Sequence, residues 1–400
     1  MCDPRLQWGK EDKVQRMMKR ALDEVLDALA EHHPARQQPW LVGSPFFDPP
    51  AVLLAALRET TREERFDYPP SRGIPELRRS ICELHAREGD VLSEEEVVVT
   101  HGSKAGLLAV FGSLVGPGDE ILHASPTYPA YPVMASTFGA VPRPLTETGG
   151  RFSWTAEELE ARITDKTRLV VLSSPSNPSG ATLGEAEAET LVGVCRERGI
   201  RLICDEAYEA FRFAGERGSP ALRADPELGT VVLLRSFSKS YAVCGWRIGY
   251  VAADAALTDR VIAWQSARLN PPNLLAQRAL VQVTEVPSSY RRETRLVVAA
   301  RLEELVSFLR GLGLRAERPA GGFYIWLELG LELSAAGFAS TGELCIELAR
   351  RVGLALWPGE DYQAPGWVRI SAVACEPNHW TEECRQLGQA LRTTLNLEKE

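Results

Sequence analysis

The 400-residue chain is poor in long apolar runs: nothing in it approaches the roughly eighteen consecutive apolar residues that a membrane helix requires. Its opening residues, Met1-Cys-Asp-Pro-Arg-Leu-Gln-Trp-Gly-Lys10, lack a basic stretch followed by an apolar core, so no export signal is expected. Positive charge is also short, 45 Lys and Arg against 54 Asp and Glu for a net charge of −9, which argues against a broad nucleic-acid surface. The eight cysteines (Cys2, Cys82, Cys195, Cys204, Cys244, Cys345, Cys375 and Cys384) show neither Cys-x-x-Cys spacing nor the density of a disulfide framework. Reduced thiols in a cytoplasmic protein are the expectation. No metal site is expected either: the adjacent His32 and His33 point apart on a helix, and no cysteine or carboxylate completes a ligand set.

What is present is ordinary for a globular protein, 44% hydrophobic and 25% charged residues, in a chain too long for one core. Residues 11 to about 31 place Val14, Met17, Met18, Leu22, Val25, Leu26 and Leu29 at helical spacing, as one apolar face. From Glu96 onward apolar runs alternate with helical patterns, which marks a parallel sheet with crossover connections. The strands expected are 97–99, 120–123, 169–172, 201–204, 231–234 and 248–251. Helical patterns follow over 256–285, interrupted at Asn270-Pro-Pro-Asn273, and over 288–311, with Leu296, Val297, Leu302, Leu305, Phe308 and Leu309 among its apolar positions. Alternating and aromatic, strand-like runs at 319–328 and 367–372 flank a helix near 341–352. The fold class expected is α/β: a large domain with a mostly parallel sheet of the seven-stranded type flanked by helices, plus a smaller α+β domain. The boundaries expected are 61–287 for the large domain and 288–400 for the small one, with 1–60 an N-terminal helix and segment joining the small domain.

The carboxyl edge of such a sheet is where ligands bind, and the motifs fall there. Ser236-Phe-Ser238-Lys239 follows an apolar strand, and Arg247 comes eight positions after the lysine, between Gly245 and Gly249. A lysine held in an apolar site gives up its proton readily, and its amine then attacks an aldehyde. Arginine and serine hydroxyls suit a phosphate. An aldehyde and a phosphate together describe pyridoxal phosphate. Gly102-Ser103-Lys104 opens a helix whose N–H groups form an anion seat. Tyr128 offers a ring to stack on a heteroaromatic system, and Asn177 stands between prolines. Asp205 ends an apolar strand, where it reads either as a turn or cap residue or as the partner of a pyridine nitrogen. Tyr208 follows three positions later. Gly43 would let backbone approach a ligand. Arg369, in a strand-like run, needs an anion: a substrate carboxylate, or a nearby glutamate in a structural ion pair.

Taken in order, Tyr68-x4-Gly73-x3-Leu77-Arg78, Gly102-Ser103, Pro126-x-Tyr128-Pro129, Asn177-Pro-Ser-Gly180, Asp205-x-x-Tyr208, Ser236-x-Ser238-Lys239-x7-Arg247 and Arg369 resemble the fold-type I pyridoxal-phosphate enzymes, specifically the class I/II aminotransferases, over roughly residues 40–395. The resemblance implies that Lys239 carries the Schiff base with the cofactor and shuttles the proton at the substrate Cα. Asp205 would pair with the pyridinium, Asn177 and Tyr208 would hold the ring 3-oxygen, and Tyr128 would stack on the ring. Ser103, Lys104 through its backbone, Ser236 and Arg247 would cradle the phosphate, with Gly102 and Ser238 completing the two turns. Arg369 would clamp the substrate carboxylate, with Gly43 and Asn177 beside it. Tyr68 would reach the phosphate of a neighbouring subunit, which implies a homodimer. The chain departs from the family pattern at Phe46-Phe47, at Lys104, where a neutral residue is common, and at Asn270-Pro-Pro. No second arginine can be assigned from the motifs to a dicarboxylate side chain. The expected activity is transfer of an amino group between an L-amino acid and a 2-keto acid. A lyase, cyclase or oxidase of the same fold, acting on a specialised amino acid, is the alternative. A regulator with a borrowed enzyme domain would need a DNA-binding module, and residues 1–40 carry little beyond one helix.

Overall fold

The computed structural model describes residues 20–34, 40–62, 66–146, 154–214, 218–373 and 376–397. Seven strands form the main sheet: β1 (Val97–Thr100), β2 (Glu120–Ser125), β3 (Val141–Thr146), β4 (Thr167–Ser173), β5 (Arg201–Asp205), β6 (Val231–Ser236) and β7 (Gly249–Ala252). Their order across the sheet is β1-β7-β6-β5-β4-β2-β3, and β7 alone runs antiparallel to its neighbours. Alternate residues of each strand enter different apolar clusters. Leu202, Cys204, Val231 and Leu233 pack to one side, and Ile203, Val232 and Leu234 to the other. Both faces are therefore covered, which is why these strands read as unbroken apolar runs rather than as alternating ones.

Within the main sheet, β3 is the strand that the sequence pattern does not reveal. Pro142 and Pro144 lie opposite Ile121 and His123 of β2, and a residue without an N–H fits a sheet only at its edge, which is where β3 sits. A second, antiparallel sheet has the order β8-β10-β9, formed by β8 (Tyr324–Glu328), β9 (Trp357–Pro358) and β10 (Trp367–Ser371). Around it pack the helices Thr341–Val352, Trp380–Thr394 and the second half of Ser288–Arg310.

The helix Ala21–His32 lies against Thr341–Val352 and buries Leu22, Val25 and Leu29 in the same cluster. Leu26 departs from the expected apolar face, being 37% exposed, while Val14, Met17 and Met18 lie outside the described residues. In Ser288–Arg310 the buried stripe runs Thr294, Val298, Arg301, Leu302, Leu305, Leu309. Leu296 and Val297 fall off that stripe and face solvent, contrary to the pattern reading. The helix Ala51–Thr60 packs against Leu274–Leu280. No described helix is long and apolar enough to cross a membrane. Among the described residues no group of His, Cys, Asp and Glu is placed to hold a metal ion, and His32 and His33 bond instead to the carbonyls of Ala28 and Arg350.

Candidate active site

Because β4, β5 and β6 are parallel, Ser173, Asp205 and Ser236 emerge at the same edge of the sheet. A cavity of about 260 Å³ opens there. Of the residues singled out in the sequence, Gly43, Ser103, Lys104, Tyr128, Asn177, Asp205, Tyr208, Ser236, Ser238, Lys239, Arg247 and Arg369 all line it.

Lys239 sits in the short helix Phe237–Ser240 that caps β6. Its Nζ donates to the Gly43 carbonyl at 2.5 Å and lies 3.5 Å from the Cys244 sulfur. Gly43 has to be small: a Cβ there would come within 2.4 Å of the Tyr324 hydroxyl and 3.9 Å of Lys239 Nζ. Asp205 is buried, and desolvation raises its pKa from 3.8 to about 6, against the N–H of Ala207 and the Tyr131 hydroxyl, both 3.1 Å from its oxygens. Among the described residues no cation pairs with it. The Tyr208 hydroxyl meets that of Tyr324 at 3.1 Å, and burial pushes its pKa well up, so it stays a neutral phenol.

At the phosphate end, Gly102 (φ +76°) caps the helix Ser103–Leu114, and a Cβ on it would lie 2.6 Å from Arg247 Nη2. Arg247 itself holds a left-handed backbone (φ 57°) that costs a non-glycine residue about 1–2 kcal/mol. That backbone folds its guanidinium back beneath the glycine turn, where Nη1 donates to the Cys244 carbonyl at 2.9 Å. Ser236 and Ser238 are buried beside it, with the Ser236 hydroxyl accepting from the Ser238 N–H at 3.2 Å.

Arg369 comes from β10 and is buried. Its Nη1 donates to Asn177 Oδ1 at 3.1 Å and its Nη2 to the Leu41 carbonyl at 2.8 Å, while Nε is buried without a partner. The guanidinium lies 4.0 Å from the Tyr324 ring centre and 4.2 Å from that of Trp357. Among the described residues it has no carboxylate partner, so the structural ion pair is absent and the charge faces the cavity. The strap Leu41-Val42-Gly43 bonds through three carbonyls, to Arg369, to the Ser371 hydroxyl and to Lys239. Phe46 anchors this strap, its ring 3.8 Å from the Arg301 guanidinium, which also faces Trp380.

Two residues stand apart. Gly102 shapes the turn without lining the cavity, and Tyr68 is 78% exposed on a separate groove. Tyr131, Tyr324 and Trp357 are contributors that the sequence reading does not assign.

The set fits pyridoxal phosphate. A buried carboxylate without a cation awaits a pyridinium N–H, and a helix N-terminus with an arginine and buried hydroxyls suits a phosphate dianion.

The chain matches the family model described as aminotransferase class I and II over residues 40–390. It is 33% identical over 357 residues to a probable aspartate/prephenate aminotransferase of Aquifex aeolicus, covering 87% of this chain and 89% of that one. It is 34% identical over 362 residues to an arginine–pyruvate transaminase of Pseudomonas aeruginosa, covering 87% and 88%. In structure it is similar to a single mutant of Thermus thermophilus aspartate aminotransferase, with a TM-score of 0.86 at 28% identity over 96% of this chain and 99% of that one. Sequence, architecture and cavity thus agree, and the protein belongs to the class I and II aminotransferases, enzymes that use pyridoxal phosphate.

Proposed function

We propose that Lys239 is the lysine through which this aminotransferase binds its cofactor covalently, and that its Nζ takes the proton from the substrate Cα. The observation that carries this reading is the meeting of Lys239 Nζ, the cation-free carboxylate of Asp205 and the inward-facing charge of Arg369 in one cavity. Bound there, pyridoxal phosphate supplies an electron-withdrawing ring that takes up negative charge developing at the substrate Cα. Asp205 keeps the ring nitrogen protonated, Asn177 and Tyr208 donate to the ring oxygen, and Tyr128 covers one ring face. Ser103, Lys104, Ser236, Ser238 and Arg247 hold the phosphate beside the turn at Gly102. Arg369 grips the α-carboxylate of the amino donor and then of the 2-keto acid, with Gly43 and Asn177 at its side.

Among the described residues the cavity holds two arginines, Arg247 and Arg369, both engaged in this scheme, so neither remains to select a dicarboxylate side chain. The relatives named for aspartate, prephenate and arginine–pyruvate bracket the amino donors and keto-acid acceptors to be tried. The exposed Tyr68 supports a homodimer in which it completes the neighbouring site. The organisation proposed is a large domain over 61–287 and a small one over 288–400 joined by 1–60, in a cytoplasmic protein.

The test is the visible spectrum of the purified holoenzyme during titration with single L-amino acids. Bleaching of the cofactor band with release of one equivalent of keto acid supports the reading and names the donor. In Lys239→Ala the band and nearly all turnover are expected to vanish. Intact turnover in that variant overturns the role of Lys239, and ammonia release or oxygen uptake by the wild type overturns transamination.

A further inference from the structure

Asp205, Tyr208, Ser236 and Lys239 line the cavity, and one neighbour of each stands in a single charged cluster behind it. The neighbours are Glu206, Glu209, Arg235 and Ser240. Arg235 Nε donates to Glu206 at 2.9 Å and its Nη1 to Glu88 at 2.7 Å. Arg291, from the helix Ser288–Arg310, donates to the other oxygen of Glu88 at 2.7 Å and through Nη2 to Glu209. Ser240 Oγ closes the set with a hydrogen bond of 2.8 Å to the second oxygen of Glu209.

The place of that last bond is informative. β5 and β6 pair in register from Leu202 and Val231 to Asp205 and Leu234, and the last rung is the Glu206 N–H to the Leu234 carbonyl at 2.8 Å. Past that rung, among the described residues, no backbone hydrogen bond joins 207–211 to 237–240. Among the described residues, the direct hydrogen bond between the segment bearing Tyr208 and the one bearing Lys239 is that of Ser240 to Glu209. Glu209 is also ion-paired to Arg291, so its bond to Ser240 is charge-assisted and about twice as strong as a neutral one. The serine side chain has a single rotatable carbon, so the bond fixes backbone next to Lys239 rather than a flexible tip.

We infer that Glu209 and Ser240 are positioning residues for Lys239, extending the β5–β6 register past the end of the sheet and setting the place of the reactive amine against Tyr208. The inference rests on Lys239 being the cofactor-bound lysine. Misplacement of a reacting group by about 1 Å costs up to 10²-fold in rate, so a loosened segment should lower kcat while leaving the Arg369 clamp, and with it KM, nearly unchanged.

The experiment compares wild-type, Ser240→Ala, Glu209→Ala and double-variant holoenzymes. Ser240→Ala is expected to lower kcat about tenfold, to leave KM for the amino donor within about twofold, and to weaken the visible circular dichroism of the bound cofactor, which reports its orientation. The double variant should be no slower than the worse single one, because both remove the same bond. Borohydride reduction followed by peptide mass analysis locates the cofactor in wild type and Ser240→Ala. A cofactor found on another lysine overturns the reading of Lys239. A cofactor on Lys239, with wild-type kcat and dichroism in Ser240→Ala, overturns the positioning role alone. Multiplicative losses in the double variant overturn it as well. If Glu209→Ala fails to fold, Ser240→Ala still decides.

Discussion

Replacing Asp205 by asparagine should make the cofactor-stripped protein more stable at neutral pH, and the gain should disappear in acid. Burial raises this carboxyl from 3.8 to about 6. Below pH 3.8 the group is protonated in both folded and unfolded chains and costs nothing. As pH rises from 3.8 through 6 the unfolded chain loses its proton first, so stability falls across that window, and above 6 the whole penalty is present. At 1.36 kcal/mol per unit, the rise amounts to ~3 kcal/mol. Asparagine keeps the acceptor for the Ala207 N–H, and its amide can donate to the Tyr131 hydroxyl, so the cavity wall is conserved. The assay is urea unfolding of both stripped proteins from pH 4 to pH 8. The stability difference should grow with pH by ~3 kcal/mol in favour of the asparagine variant. A flat or oppositely sloped difference would refute the argument that this carboxylate is buried without a counterion. With cofactor added the order should reverse, because a pyridinium beside the carboxylate removes the penalty: the variant is expected to hold cofactor weakly and to be slower by orders of magnitude.

Arg369→Lys keeps the charge but loses the planar fork, and should lower kcat/KM about 10²-fold for amino donor and keto acid alike, the equivalent of ~3 kcal/mol for charge-assisted hydrogen bonds. Steady-state kinetics of both half-reactions check it, and an unchanged ratio for either substrate would contradict a carboxylate clamp. Glu88 resists burial because Arg235 and Arg291 hold it well below the usual carboxylate range. Its contribution is therefore present above pH 4.5, its ordinary value, and is lost as pH falls below that. Glu88→Gln should cost about 3–5 kcal/mol at pH 7, with the gap narrowing in acid; a pH-independent gap in denaturant unfolding would count against it.

The sequence speaks plainly where chemistry is local. The lysine after β6, the carboxylate that ends β5 and the glycine turn after β1 are each set by an apolar strand, so their place at the sheet edge follows from the strand itself. β3 stays hidden because Pro142 and Pro144 speak against a strand, and only an edge position reconciles them. Partners brought together over long separations are silent too: Tyr131 reaches Asp205 across 74 positions, and Leu41 reaches Arg369 across 328. Tyr131 lies in the same aromatic run as Tyr128, yet nothing local tells which ring turns its hydroxyl to the carboxylate. For Arg369 the type and strand context leave a glutamate and a substrate as equal partners, and it takes the three-dimensional surroundings, aromatic faces and no carboxylate, to separate them. The tie between Glu209 and Ser240 spans only 31 positions, but its meaning depends on where the β5–β6 ladder stops.

The strap at Leu41-Val42-Gly43 has one more consequence. Its Leu41 carbonyl is taken up by the Arg369 guanidinium, while its Gly43 carbonyl turns the negative end of a peptide dipole toward the Lys239 amine, so the Gly43 end of the strap is electronegative and the Arg369 end positive. A free amino acid carries both signs on a single carbon. Such a zwitterion finds one orientation in which each of its ends meets an opposite charge, and the reversed orientation sets like against like at both ends. With Arg369 as the carboxylate clamp proposed above, the backbone of a short loop, whatever its side chains, would act as a compass for the substrate before any covalent bond is made.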